Sequence, residues 1–143
     1  MKALYRRSAI HDPQSEICNP GSLLYIEENL SHLRLITRIL ARRPSLRFLS
    51  AATSPLGLEI ARENRPDLIL LDLHVLDSEG DQALARLLAD PRTSDVPVVV
   101  LSADGLPDKR VQMLASGARA FLAKPVAVRT LLGVVDQFIK QRP

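Results

Sequence analysis

The sequence contains little cysteine and few aromatic residues. Its 143 residues include one cysteine, no tryptophan, two tyrosines and three phenylalanines. A lone thiol, Cys18, excludes an intrachain disulfide framework and a cysteine-based zinc cluster. An aromatic fraction of 3% argues against a β-sandwich and against a surface that stacks nucleic-acid bases, since both depend on aromatic rings.

Long apolar runs and a strong charge imbalance are also missing. No run approaches the ~20 apolar residues of a membrane span, and the N-terminus has no continuous apolar segment of the kind found in signal peptides. The net charge is only +3, from 19 Lys and Arg against 16 Asp and Glu. We therefore expect a cytoplasmic chain with neither a membrane nor a nucleic acid as a direct partner.

From Ser22 onwards, apolar residues follow a regular alternation of two patterns. Short apolar runs predict five strands, and apolar residues at helical spacing after each run predict five helices. The strands are expected at 23–26, 46–51, 68–72, 97–101 and 120–123. The helices are expected to contain Leu30–Leu40, Leu58–Ala61, Leu84–Leu88, Val111–Ala115 and Leu131–Ile139. Residues 1–21 lack this periodicity, so they are assigned to a tail or linker and 22–143 to a single domain.

This order of elements predicts an α/β fold. Strands and helices that alternate at this spacing form a five-stranded parallel sheet with helices on both faces, a three-layer (βα)5 arrangement. Continuous apolar strands agree with burial on both faces. In such sheets, functional residues gather at the carboxyl ends of the strands, beside the point where the strand order reverses.

Polar residues stand at four of the five predicted strand ends. Glu27 and Glu28 follow the first strand, Asp72 the third, Ser102 the fourth and Lys124 the fifth. Neighbouring carboxylates repel each other, and a hard divalent cation such as Mg²⁺ relieves the repulsion. The cation, the lysine and the hydroxyl suit a phosphoryl group, and an aspartate is a competent nucleophile toward it. These residues predict Mg²⁺-dependent phosphoryl transfer to Asp72.

Four motifs resemble one known family. They are Leu-Tyr-Ile-Glu-Glu-Asn, Leu-Ile-Leu-Leu-Asp-Leu-His, Leu-Ser-Ala and Phe-Leu-Ala-Lys-Pro. Their order and spacing resemble the response-regulator receiver domain of two-component signalling, the CheY-like superfamily, with its flavodoxin-like fold. The sequence is particularly similar to receivers of hybrid sensor histidine kinases. The resemblance covers about residues 22–140.

The resemblance implies a role for each of these residues. Asp72 would accept a phosphoryl group from a histidine kinase or a histidine phosphotransfer domain, and a homodimer is an open alternative to a monomer. The implied Mg²⁺ ligands are Glu27, Glu28, Asp72 and the backbone carbonyl of His74. Ser102 and Lys124 would contact the phosphoryl group, and Phe121 would turn inward when Ser102 moves. Gly80 matches the glycine that ends the loop after the phosphoacceptor, and Lys124–Pro125 matches a cis peptide bond. Such a chain is a phosphoacceptor rather than a turnover enzyme.

Three positions depart from the family pattern. Glu28 replaces the usual aspartate, and its extra methylene is expected to weaken Mg²⁺ binding or to favour a looser ion. Leu76 replaces a proline, so the loop after Asp72 loses a fixed φ angle. Phe121 replaces the commoner tyrosine and has no hydroxyl. These departures leave open a degenerate receiver that acts as a phosphorylation-independent interaction module.

The remaining candidates are weaker. A flavin- or nucleotide-binding enzyme of the same topology needs a glycine-rich phosphate loop after the first strand, and Glu27–Leu30 stands there instead. Asp104 is left open between a loop acid that tunes phosphoryl lifetime and a helix cap. His11 and His32 are interpreted as surface residues.

Overall fold

The computed structural model describes residues 21–73, 78–103 and 107–139. Within them the expected (βα)5 order is confirmed. The elements are β1 (Ser22–Ile26), α1 (Leu30–Leu40), β2 (Arg47–Ala51), α2 (Ser54–Asn64), β3 (Leu68–Leu73), α3 (Ser78–Ala89), β4 (Val98–Ser102), α4 (Pro107–Ala115), β5 (Ala120–Ala123) and α5 (Val128–Phe138). Residues 1–20, which make up almost all of the predicted tail, lie outside the described residues.

The five strands form one parallel sheet in the order β2-β1-β3-β4-β5. The chain moves from β1 to one edge of the sheet and then returns to build the other half from β3, so the strand order reverses between β1 and β3. Ile26 at the end of β1 is in register with Leu71 of β3. The next residue along, Glu27, therefore lies level with Asp72 at the reversal point, where α/β sheets place their ligands.

Both faces of the sheet are covered, which gives the three predicted layers. Alternate residues of β1 point to opposite sides: Leu23 and Tyr25 pack in the core beneath α1 and α5, whereas Leu24 and Ile26 pack in the core beneath α2, α3 and α4. Strands buried on both faces require apolar residues at successive positions. The four-residue apolar run at the start of β3 is completely buried for this reason.

Side chains and glycine define several helix ends. The Asn29 side chain caps α1 by accepting a hydrogen bond from the backbone N–H of His32 at 3.1 Å. The Thr53 side chain caps α2 by accepting a hydrogen bond from the backbone N–H of Leu56 at 3.2 Å. Gly117 follows α4 with a φ of 114°, a conformation that favours glycine and ends the helix.

One expectation for the helices is wrong, and the packing of a second helix does not follow its apolar pattern. α3 begins at Ser78, so Gly80 lies inside this helix rather than at the end of a polar loop. α4 is present, but Met113 is its buried residue, whereas Val111 is 65% exposed and Leu114 is 38% exposed. Apolar spacing located α4 but did not identify the face that packs on the sheet.

Charged side chains link neighbouring helices on both faces of the sheet. Between α2 and the end of α3, Arg62 Nε donates to Asp90 Oδ2 at 2.5 Å, and the backbone N–H of Arg92 donates to Asp90 Oδ1 at 2.8 Å. The Arg92 backbone N–H, then the guanidinium of Arg62, lower the pKa of Asp90 to about 2. Between α1 and α5, Arg43 binds both oxygens of Asp136, at 2.8 and 2.6 Å.

Candidate functional site

The carboxyl edge of the sheet brings together four side chains from four elements. Glu27 follows β1, Asp72 lies in β3, Lys124 follows β5, and His32 lies in the first turn of α1. Glu27 is 4% exposed and Asp72 is 7% exposed, so both carboxyl groups are buried. The ligand atoms of Glu27, His32 and Asp72 all lie within 4.8 Å of one another.

The ammonium group of Lys124 lies between the other three groups. Its Nζ forms an ion pair with Asp72 Oδ2 and donates to Glu27 Oε1 at 3.2 Å. The same Nζ is 2.8 Å from His32 Nδ1. The end of β5 is held in place by the Lys124 backbone N–H, which donates to the Ser102 carbonyl at 2.8 Å, and the Lys124–Pro125 peptide is cis as expected. The site thus has one positive charge among three electron-pair donors.

Tyr25 reaches the two carboxyl groups from inside the core. Its side chain is fully buried, and its hydroxyl lies 3.2 Å from Glu27 Oε1 and 3.3 Å from Asp72 Oδ2. Burial, followed by the two nearby carboxylates, raises the pKa of Tyr25 strongly, so the phenol keeps its proton. Tyr25 is therefore a fixed hydrogen-bond donor beneath the acids.

The two carboxyl groups titrate as a pair. Burial, and then the adjacent Glu27, raise the pKa of Asp72 above its ordinary value. Burial also opposes charge on Glu27, but hydrogen bonds from Asp72, from the Asn29 backbone N–H and from Lys124 outweigh it and lower the pKa of Glu27. A proton on the pair is therefore held mainly by Asp72.

One oxygen of Asp72 has no partner among the described residues. The Asp72 side chain is 1% exposed, its Oδ2 contacts Lys124 and Tyr25, and its Oδ1 is buried without a hydrogen bond from the described part of the chain. A buried carboxylate oxygen without a donor is costly, and a bound cation or ligand relieves that cost. Because the carboxylate oxygens of Glu27 lie nearby, the Asp72 oxygen fits a site for a divalent cation such as Mg²⁺.

The other predicted site residues differ in how far they are buried. Ser102 is 1% exposed and ends β4, next to Lys124, and Phe121 is buried in β5. The Phe121 ring lies 6.0 Å from the guanidinium carbon of Arg110, whose Nη1 also donates to the Phe121 carbonyl at 3.1 Å. Glu28 is exposed and does not belong to the group of ligand atoms around Asp72. His74, Leu76 and Asp104 lie outside the described residues.

Sequence reasoning missed two residues of this cluster. His32 was interpreted as a surface residue, but its half-buried side chain contacts Glu27 and Lys124 at the site. Its place three residues after the Asn29 cap, on the turn that begins beside Glu27, was the available signal. Tyr25 was treated only as part of an apolar strand, although a buried tyrosine two residues before a strand-end acid shares that acid's face.

Comparison with known proteins identifies a family. The model of the response regulator receiver domain matches residues 23–136. Protein PilH of Pseudomonas aeruginosa is 28% identical over 114 residues, which cover 80% of this chain and 93% of PilH. The phosphate regulon regulatory protein PhoB of the same species is also 28% identical, and the match covers 85% of this chain but only 53% of PhoB.

A solved structure agrees with this match. The receiver domain of the sensor histidine kinase PA1611 from P. aeruginosa was crystallised with a magnesium ion coordinated in its active-site cleft. It is 27% identical with a TM-score of 0.70, and the match covers 83% of this chain and 97% of that domain. In the part of the chain that the structure describes, no helix is long and apolar enough to cross a bilayer.

Proposed function

Because this chain belongs to the response regulator receiver domain family, we propose that Asp72 accepts a phosphoryl group from a phosphohistidine on a histidine kinase or a histidine phosphotransfer domain. The observation that carries the proposal is the state of the Asp72 carboxyl group. Its Oδ2 is held by Lys124 and Tyr25, and its Oδ1 is buried without a partner among the described residues. This arrangement orients one oxygen of a buried acid and leaves the other available for bond formation.

The proposed step forms one bond and breaks one. Asp72 Oδ1 attacks phosphorus, and the bond between phosphorus and the donor imidazole nitrogen breaks, so that its electron pair returns to the imidazole. Lys124, which already contacts Asp72, would neutralise charge on the phosphoryl oxygens, and the Ser102 hydroxyl would donate to one of them. The raised pKa of Asp72 requires a nearby positive charge to keep the attacking carboxylate ionised.

A divalent cation would complete the site. Glu27 and Asp72 supply its carboxylate oxygens, and Glu28 and the His74 carbonyl remain proposed additional ligands. Such a cation would neutralise charge on the phosphoryl group as it is transferred. The exposed position of Glu28 suits a ligand that reaches the site from its rim.

We further propose that phosphorylation acts on β4 and β5. Ser102 ends β4, and Phe121 of β5 is in register with Val100, two residues before Ser102. A hydroxyl drawn toward the phosphoryl group would therefore move the end of β4 beside the strand that carries Phe121. The Arg110 guanidinium, which binds the Phe121 carbonyl, links this movement to α4.

We also propose that the receiver domain spans residues 22–143, that residues 1–21 form a tail before it, and that the domain works in the cytoplasm, where histidine kinases supply phosphohistidines.

Mass spectrometry of the intact chain tests the phosphoacceptor role. After incubation with acetyl phosphate and Mg²⁺, we expect the wild-type chain and Asp136→Asn to gain one phosphoryl group and Asp72→Asn to gain none. An unmodified wild-type chain would contradict the proposal and leave a receiver that acts without phosphorylation.

A further inference from the structure

We propose that His32 is a ligand of the metal site and gives it a preference for imidazole-binding divalent cations, such as Co²⁺ or Zn²⁺, over Mg²⁺. The inference rests on the proposed function only in taking the cluster around Asp72 as a metal site. It adds a nitrogen donor to a site that the sequence predicted to consist of oxygen ligands.

The first support is geometric. The Glu27 and Asp72 oxygens and the His32 nitrogen lie within 4.8 Å of one another. Two ligands of one metal ion, each about 2.0–2.2 Å from it, lie roughly 3–4 Å apart. Small side-chain rotations would therefore bring all three donors onto a single ion.

The second support is the hydrogen bonding of His32 Nδ1. This nitrogen is 3.0 Å from Glu27 Oε1 and 2.8 Å from Lys124 Nζ. It cannot donate a proton to the carboxylate and also accept one from the ammonium. When Nδ1 accepts from Lys124, the lone pair of this nitrogen and the oxygens of Glu27 and Asp72 all point at the Lys124 ammonium group. A metal ion requires the same arrangement of electron-pair donors around one positive charge.

The third support is that the ligand groups are prearranged and that one oxygen of Asp72 lacks a partner among the described residues. The backbone N–H of His32 donates to the Asn29 side chain at the start of α1, and this hydrogen bond fixes the backbone that carries the imidazole. The Asp72 side chain is almost completely buried, and its Oδ1 has no partner within the described residues. The His32 side chain is 42% exposed, so this side of the cluster is open to an incoming ion.

Ligand chemistry indicates which ion gains. Mg²⁺ prefers an all-oxygen shell and retains several waters, whereas imidazole nitrogen favours later divalent metals such as Co²⁺, Ni²⁺ and Zn²⁺. One nitrogen with two carboxylates leaves coordination positions for water or a phosphoryl oxygen. His32 should therefore increase affinity for Co²⁺ and contribute little to affinity for Mg²⁺.

Calorimetric titration of the metal-free chain with CoCl₂ and with MgCl₂ tests this selectivity. We expect His32→Gln to weaken Co²⁺ binding by about tenfold or more and to change Mg²⁺ binding by no more than about twofold. Visible absorption of bound Co²⁺ reports the loss of a nitrogen ligand directly. His11→Gln, which removes another of the three histidines, is the control for non-specific histidine binding and should leave Co²⁺ affinity unchanged.

Two results would overturn the inference. One is equal Co²⁺ affinity and an equal Co²⁺ spectrum in wild type and His32→Gln while acetyl phosphate and Mg²⁺ still phosphorylate both chains, which would leave the proposed function intact. The other is a wild-type chain that binds neither metal and is not phosphorylated, which would remove the metal site and the proposed function together. Far-UV circular dichroism of His32→Gln, with His32→Ala as a second variant, confirms that each chain tested is folded.

Discussion

The buried hydroxyl of Tyr25 offers a sharp test of the structure because Tyr25→Phe removes only that group. The ring stays in the core beneath α1 and α5, so packing is retained. The hydroxyl lies 3.2 Å from Glu27 and 3.3 Å from Asp72, and both acids are buried. The substitution therefore isolates the contribution of one donor to two carboxyl groups.

The distances determine the expected magnitude. One hydroxyl proton is shared between two acceptors, so it counts as one hydrogen bond, and both distances exceed the usual O–H···O range. Hydrogen bonds to charged groups contribute about 1.5–3 kcal/mol, and the long distances place this one near the low end, at about 1–2 kcal/mol. For a domain of this size, such a loss lowers Tm by roughly 3–8 °C.

Urea unfolding of the metal-free chain at neutral pH measures this loss. A double-mutant cycle with Glu27→Gln supplies the control, because the neutral amide is a weaker acceptor and the effect of Tyr25→Phe should shrink by about 0.5–1 kcal/mol in that background. A Tyr25→Phe chain as stable as wild type would refute the assigned hydrogen bonds. If Tyr25→Phe lowered the unfolding free energy by the same amount in the Glu27→Gln background as in wild type, the effect would come from packing instead.

Two further predictions concern residues away from the site. Gly57→Ala should destabilise the chain by about 1 kcal/mol in urea unfolding, because its Cβ would lie 2.5 Å from Ile26 Cδ1 and overpacking outweighs the gain in helix propensity. The matched change Gly133→Ala, where nothing lies within 4 Å, should stabilise it by about 0.5–1 kcal/mol, and the same sign for both variants would contradict the packing of α2 on β1. Asp90→Asn should reduce stability at neutral pH, and the difference from wild type should narrow as the pH falls from 3.8 toward about 2, because the lowered pKa of Asp90 stabilises the fold only while that group is ionised. A difference in unfolding free energy that does not change with pH would show that this carboxylate is not stabilised by its arginine neighbours.

The sequence predicted the fold well because each element carries a strong local signal. The buried run that begins β3 has no polar interruption before Asp72. The family match over residues 23–136 and the observed strand order confirm this part of the prediction. Local pattern located α4 but did not show which face packs, since the sheet buries Met113 and leaves Val111 exposed. Which face of a short helix packs is decided by the neighbouring elements rather than by its own periodicity.

The site was less predictable than the fold for a similar reason. Glu27, Asp72 and Lys124 could be placed together because residues at the carboxyl ends of adjacent parallel strands must share one edge. His32 is on a helix, and its approach to the acids depends on the angle at which α1 leaves β1. The reach of Tyr25 depends on a rotamer in the core. Neither quantity can be obtained from spacing along the chain.

The Lys124 ammonium has a consequence for how the domain responds to its ionic environment. It serves as a built-in counterion for the two buried carboxyl groups, so the fold does not depend on an external ion to offset their charge. A divalent cation that bound these oxygens would have to compete with the tethered ammonium group, so its measured affinity would reflect the difference between the free energy of cation binding and that of the lysine ion pairs. Cation binding would then be an exchange that releases the Lys124 ammonium group to contact an incoming anion.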